Sequence, residues 1–115
     1  MDMTRKAARQ SILAALMMTF LASAQADEGK EFAWMERGKD AVRGLLKDPG
    51  SAEFREVYFH RGDEGIPMVC GQVNSKNGFG GYVGYQYFIS AGNPVLTFLQ
   101  NHESDFRNVW DRFCR

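Results

Sequence analysis

Apolar side chains recur with the period of a helix between residues 28 and 47. On a helical wheel Phe32, Trp34, Met35, Val42, Leu45 and Leu46 share one half. Lys30, Glu36, Arg37, Asp40, Arg43 and Lys47 share the other. The pattern predicts an amphipathic helix. Gly38 and Gly44 each weaken it by roughly 1 kcal/mol relative to alanine. Gly38 falls on the apolar side, where a missing side chain lets a neighbour come close. Such a face suits a partner or a membrane surface, but packing on the chain's own sheet is the simpler expectation. The helix ends at "DPGSAEF", where Asp48 can cap a new short turn with Pro49 at its first position. Phe54 then points an anchor back toward the core.

After Phe54 the period changes from helical to alternating. Residues 55–60 place Val57 and Phe59 on one face and Tyr58 and His60 on the other. "GDEGIP" is a turn by composition, and residues 68–74 form a second strand. Residues 82–90 form a third, "AGNP" turns the chain, and residues 95–99 form a fourth. The helical period returns over 103–114, with Phe106, Val109, Trp110 and Phe113 on one side and Cys114 at its edge. Ser104 or Asn101 can cap its start. The order helix, strands, helix predicts an α+β fold. A small antiparallel sheet of three to four strands is flanked by an N-terminal and a C-terminal helix.

The stretch "NSKNGFGGYVGYQYF", residues 74–88, crowds glycines and aromatic rings together. Asn77-Gly78 is a strong two-residue hairpin signal. A turn centred there sets Cys70 opposite Tyr85, Gly71 opposite Gly84 and Val73 opposite Tyr82. Met68, Cys70, Gln72, Val83, Tyr85 and Tyr87 then share one face. If Cys70 bonds Cys114, the C-terminal helix covers that face, and Tyr85 and Tyr87 become core residues beside Trp110 and Phe113. The paired glycines Gly71 and Gly84 leave a flat notch on the other face, which Trp34 can fill. A longer loop over 75–81 would shift this register, and a one-residue slip would exchange the faces.

The first residues change the picture of where the chain works. Arg5, Lys6 and Arg9 precede a short apolar run, 12–22, and the small-x-small pattern Ala24-Gln25-Ala26. This is the layout of a secretory signal peptide cleaved after Ala26. The alternative is an uncleaved anchor, although spanning a bilayer takes about 20 apolar residues. Cleavage leaves residues 27–115, enough for one small domain. The whole chain is charge-balanced, with 14 basic and 14 acidic residues. Losing the basic leader leaves it slightly acidic. Its basic residues are scattered, which argues against nucleic acid as a partner and against stable membrane association after cleavage.

Both cysteines, Cys70 and Cys114, lie in the mature part. Export favours a disulfide between them over a metal pair or a catalytic thiol. On the chain-entropy picture the link stabilises the fold by roughly 3–4 kcal/mol. For so small a domain that is a large share of the total.

Candidate chemistry is sparse. His60 and His102 are the two histidines, and neither has zinc-ligand spacing with another histidine or a cysteine. Glu53, Glu56, Asp63 and Glu64 offer carboxylate pairs of a kind any small domain contains. Gly78-x-Gly80 is followed by a strand rather than by the helix a phosphate loop requires. No catalytic residue, cofactor site or metal site is expected. Binding is the better expectation. Asn74, Ser75, Lys76 and Asn77 offer amides, a hydroxyl and an ammonium beside the rings of Phe79 and Tyr82. The plainer explanation is a hairpin tip whose polar residues face water, since turns favour these residues for backbone reasons.

"LLKDPGSAEFREV", then "VCGQVNSKNGFGGYVGYQYFI", then a terminal tryptophan and cysteine resemble a family of small exported bacterial proteins. Its members occur mostly in proteobacteria, some in phage-related settings. The resemblance covers most of 27–115, and its C-G-x-V-N-x-K-N-x-x-G-G-Y block is fairly specific. It implies a coherent domain working beyond the inner membrane, and it transfers no catalytic residue. The expectation is a periplasmic or secreted, non-catalytic binding module whose partner is an envelope or secreted protein or a cell-wall component. The rival expectations are an inhibitor or immunity protein against an envelope-acting hydrolase, a small hydrolase and a structural envelope or phage component.

Overall fold

The computed structural model describes residues 27–115. The expected signal peptide, 1–26, lies outside the described residues. Contacts divide the chain into two units, Met1–Glu31 and Phe32–Arg115. Of the first, residues 27–31 are described; they are helical and exposed. The second holds a four-stranded antiparallel sheet. Among the described residues no helix is long and apolar enough to cross a membrane.

The first helix, α1, is described from 27 to 43. It stops short of the expected 47. The chain tightens there to bonds three residues apart, from Leu45 N to Val42 O (2.9 Å) and from Leu46 N to Arg43 O (3.1 Å). Gly44, a poor helix former, stands at this exit. A 3₁₀ turn, Pro49–Ser51, follows with proline in its first turn and Asp48 at the N-cap position. Asp48 makes no side-chain capping bond. The strands are β1 (Glu53–Arg61), β2 (Pro67–Asn74), β3 (Gln86–Ser90) and β4 (Thr97–Leu99), paired in that order. The last helix, α2, spans Phe106–Phe113, shorter than the expected 103–114. Asp105 holds its N-cap position in place of Ser104 or Asn101.

One apolar cluster joins Val42, Val69, Val73, Phe88 and Leu99, with Trp34, Met35, Leu45, Leu46, Phe54 and Val57 packed on it. The other joins Met68, Cys70, Ile89, Phe106 and Cys114, with Phe98, Val109, Trp110 and Phe113. The sheet alternation sends odd positions of β2 to the α1 side and even positions to the α2 side. Gly38 does what its place on the apolar side suggests. A Cβ there would stand 2.7 Å from the Val69 Cβ, so its absence seats α1 against the middle of β2. Phe54 anchors edge-on against Phe88, at 5.7 Å between ring centroids.

Cys70 and Cys114 form the disulfide, closing a separation of 44 residues. The hairpin register differs from the expectation. Cys70 stands opposite Ile89, Gly71 opposite Phe88 and Val73 opposite Gln86. The shift is an even number of residues, so the paired side chains of β2 and β3 keep their faces, while Val83 leaves the ladder and joins Leu45 and Leu46. Gly80, at φ +83°, supplies the left-handed residue of the turn, and Asn77 and Gly78 do not. The strands touch again at the Lys76–Tyr82 bridge, and Val83 N donates to Ser75 O at 3.3 Å. Gly84, at φ +97°, then redirects the chain before β3 begins. The extra residues lie in this second bend.

The expected glycine notch is therefore absent. Gly71 is filled from its own layer: a Cβ there would lie 3.0 Å from the Val57 Cα and 3.1 Å from the Phe88 ring. A bulge in β1 between Arg55 and Tyr58 brings Val57 close, with Glu56 at φ +54°. Trp34 instead packs over Gly92, with a ring carbon 2.9 Å from where a Cβ would be.

Candidate functional site

The hairpin tip is built from main-chain amides tied down by short side chains. Asn77 Oδ1 accepts from Phe79 N (2.9 Å) and Gly81 N (3.2 Å). Asn74 Oδ1 accepts from Gly84 N at 3.0 Å. Both asparagines thus spend their carbonyl oxygens on the loop itself, as turn asparagines commonly do. Ser51, from the turn after α1, braces the tip from outside. Its hydroxyl accepts from Lys76 N at 2.8 Å, and its carbonyl accepts from the Tyr82 hydroxyl at 3.2 Å. The "DPGS" segment is structural in this sense: it holds the root of the tip.

The six candidate residues separate in this geometry. Ser75 is buried, and Asn74 and Lys76 are half-buried. Lys76 Nζ lies 5.5 Å from the Tyr82 ring centroid, within cation–π range. Tyr82 is exposed on its other side. Loss of water, then the Glu53 carboxylate, push its phenol above the ordinary value. Asn77 is exposed with its oxygen engaged. Phe79 is 99% exposed, at the apex between Gly78 and Gly80. Leaving a phenylalanine ring fully in water forgoes about 1.5–3 kcal/mol of burial.

Tyr85 and Tyr87 are not the core residues expected of them; both are partly exposed. Tyr85 lies beyond the ladder, because β3 begins one residue later. Its ring stacks on the Arg55 guanidinium at 3.7 Å, and Arg55 in turn bonds Gln72. Tyr87 does meet Trp110, at 5.0 Å between centroids, but on the rim of the α2 side.

Two cavities stand out among the described residues. The larger, about 490 Å³, runs along α2 and is floored by Tyr87 and Trp110, with Glu103, Arg107, Asp111 and Arg115 around it. Its charges balance, and Asp111 already pairs with Arg115 at 3.2 Å. The smaller, about 290 Å³, lies beside the hairpin tip and includes Ser75, Lys76 and Asn77. The other lining residues were not foreseen. Leu45, Leu46 and Lys47 come from the exit of α1, Val83 and Gln86 from the hairpin's return, and Asn101 and His102 from the 3₁₀ turn Gln100–His102.

His60 Nε2 donates to the Arg115 main-chain oxygen at 2.8 Å. Of the carboxylates, Asp63 pairs with Arg112 at 3.2 Å. Glu53 and Glu56 stand on β1 and Glu64 on the 3₁₀ turn Asp63–Gly65. Among the described residues no group of three or more histidines, cysteines and carboxylates is placed to hold a metal ion. Comparison with family models, curated proteins and solved structures finds no match to this chain.

Proposed function

We propose that this chain is an exported, non-catalytic binding module that presents residues 74–82 to an envelope or secreted protein or a cell-wall component. The observation that carries the reading is the state of Phe79: wholly exposed, on a turn whose backbone is already fixed by Asn77 and braced by Ser51. A preorganised loop loses little freedom on binding, so an apolar ring at its apex adds affinity at low entropic cost. Aromatic side chains are the usual anchors of such contacts. Export is supported by the leader pattern ending at Ala26 and by the Cys70–Cys114 disulfide, which persists in oxidising compartments.

The test is capture of partners from envelope extract. Asn77→Ala and Phe79→Ala proteins that keep wild-type folding should lose partners that the wild type retains. Capture of every partner by both variants would remove the tip as the binding surface.

A second reading has support from the same apex. A fixed loop ending in one exposed ring has the shape of an inhibitor that plugs an enzyme cleft. An inhibitor or immunity protein of this kind would lower the rate of an envelope-acting hydrolase in proportion to its concentration, and Phe79→Ala would abolish that effect. Unchanged rates across such hydrolases in excess protein would leave the simple binding module.

A further inference from the structure

The smaller cavity carries an inference independent of Phe79. Its ionisable lining is of one kind: Lys47, Lys76 and His102, with no carboxylate among the described residues that line it. The ion pairs among the described residues involve Lys39, Arg43, Arg112 and Arg115, and leave Lys47 and Lys76 without an acidic partner. Lys47 is held close to the tip, its Cδ 4.0 Å from where a Gly78 Cβ would be.

Two buried polar side chains open into the same space. Gln86 is 6% exposed, and its Oε1 accepts from Asn101 N at 3.0 Å. A backbone N–H demands the oxygen, so the amide orientation is fixed and Nε2 is left over as a donor. Nε2 has no protein acceptor among the described residues. Ser75 is 7% exposed, and its hydroxyl likewise has no protein partner among them. Among the described residues, no side-chain nitrogen or oxygen sealed from solvent lacks a hydrogen bond. Gln86 Nε2 and Ser75 Oγ therefore keep contact with solvent, and both residues line this cavity. Leu45, Leu46 and Val83 supply aliphatic carbon to the same lining.

Cationic and neutral donors beside aliphatic carbon in one cavity suit an amphipathic anion. We infer that this cavity binds an organic carboxylate carrying a small apolar group, with the carboxylate between Lys47, Lys76 and Gln86 Nε2 and the apolar group against Leu45, Leu46 and Val83. A phosphate fits the donors but leaves the aliphatic wall unused, and it loses more hydration on entry. The volume, about 290 Å³, limits the ligand to a short acid or the last residues of a peptide. These two sources share one chemistry, and the experiment separates them.

The test is calorimetric titration of the oxidised full chain with four probes: N-acetyl-alanyl-alanine, its C-terminal amide, hexanoate and inorganic phosphate. The free-acid dipeptide should bind at least about tenfold more tightly than its amide, because the amide cannot make the charge-assisted bonds. Hexanoate binding as tightly as the dipeptide would support the site and assign it to alkyl acids. Dipeptide binding alone would support it and assign it to peptide termini. Lys47→Gln with Lys76→Gln, both solvent-reaching side chains, should weaken the carboxylate about tenfold with the urea midpoint held. Phe79→Ser should leave it unchanged, so loss of the tip's partners and loss of this pocket are separate outcomes. Equal binding of acid and amide, phosphate binding as tight as either acid, or no carboxylate binding would each overturn the assignment.

Discussion

Phe79 and Trp110 show two fates of an aromatic ring in this domain. Trp110 sits on α2 among Tyr58, Tyr87 and Phe106, with ring centroids 5.0–6.5 Å away. The helix that carries it is tied to β2 by the Cys70–Cys114 bond. Phe79 touches water on nearly all sides, on a loop whose amides are tied to Asn77 and whose root is braced by Ser51. The Trp110 group of rings is thus gathered where a covalent link and a helix cover it. The exposed apex ring contributes nothing comparable, which leaves it free to be covered by something else.

The largest blow to this contrast falls on the stapled side. Replacing Cys70 and Cys114 together by alanine should cost about 4 kcal/mol for a loop of this length, read as a lower urea midpoint. A loss below about 1 kcal/mol would show that packing alone holds α2. Gly62→Ala probes the same side without touching sulfur. Its Cβ would stand 2.6 Å from the Phe113 Cα and 2.9 Å from the Phe113 oxygen. Backbone cannot swing aside, so a destabilisation of about 1–3 kcal/mol is expected.

The tip should respond far less. Asn77→Ala removes the acceptor for two amides that water can reach, a loss of about 1 kcal/mol, visible as faster amide exchange at Phe79 and Gly81. Phe79→Ala should move stability by no more than about 0.5 kcal/mol. A larger loss would mean that the ring is packed in solution.

The smallest effect is one of pH. Tyr58 donates to Cys114 O at 2.6 Å, and burial, then the Tyr87 phenol, raise its pKa above the ordinary 10.0. The folded state holds that proton more tightly than the unfolded chain. Its contribution is therefore complete below about pH 10 and is lost as pH rises through the raised value. Urea midpoints between pH 9 and 11 should fall more steeply in wild type than in Tyr58→Phe.

Much of the fold could be read from local pattern. The α1 face, the Gly38 contact, the Asp48-Pro49 turn and the alternation of β1 and β2 each follow from side chains near one another in sequence. The disulfide followed from two cysteines in a chain with an export-like leader. Register did not, because four glycines after Asn77 allow several turns, and Gly80 and Gly84 rather than Asn77 took the left-handed positions. The β1 bulge was illegible as well: Glu56 has no sequence mark of positive φ, and Gly71 acquires its meaning only once Val57 is seen above it. Of the candidate site, the exposed ring and turn polars were legible. The pocket was not, since its lining comes from three distant segments that meet only in the folded chain.

Whether Phe79 is the point of contact is tested most directly by photo-crosslinking. A photoreactive benzophenone side chain is placed at position 79 or at position 87, and the folded, oxidised protein is irradiated in envelope extract. A discrete cross-linked partner is expected from position 79, with position 87 giving none or only bonds within the chain. A partner joined at 87 and not at 79 would contradict the role given to the tip, moving recognition to the α2 cleft and leaving Phe79 an idle ring on a turn.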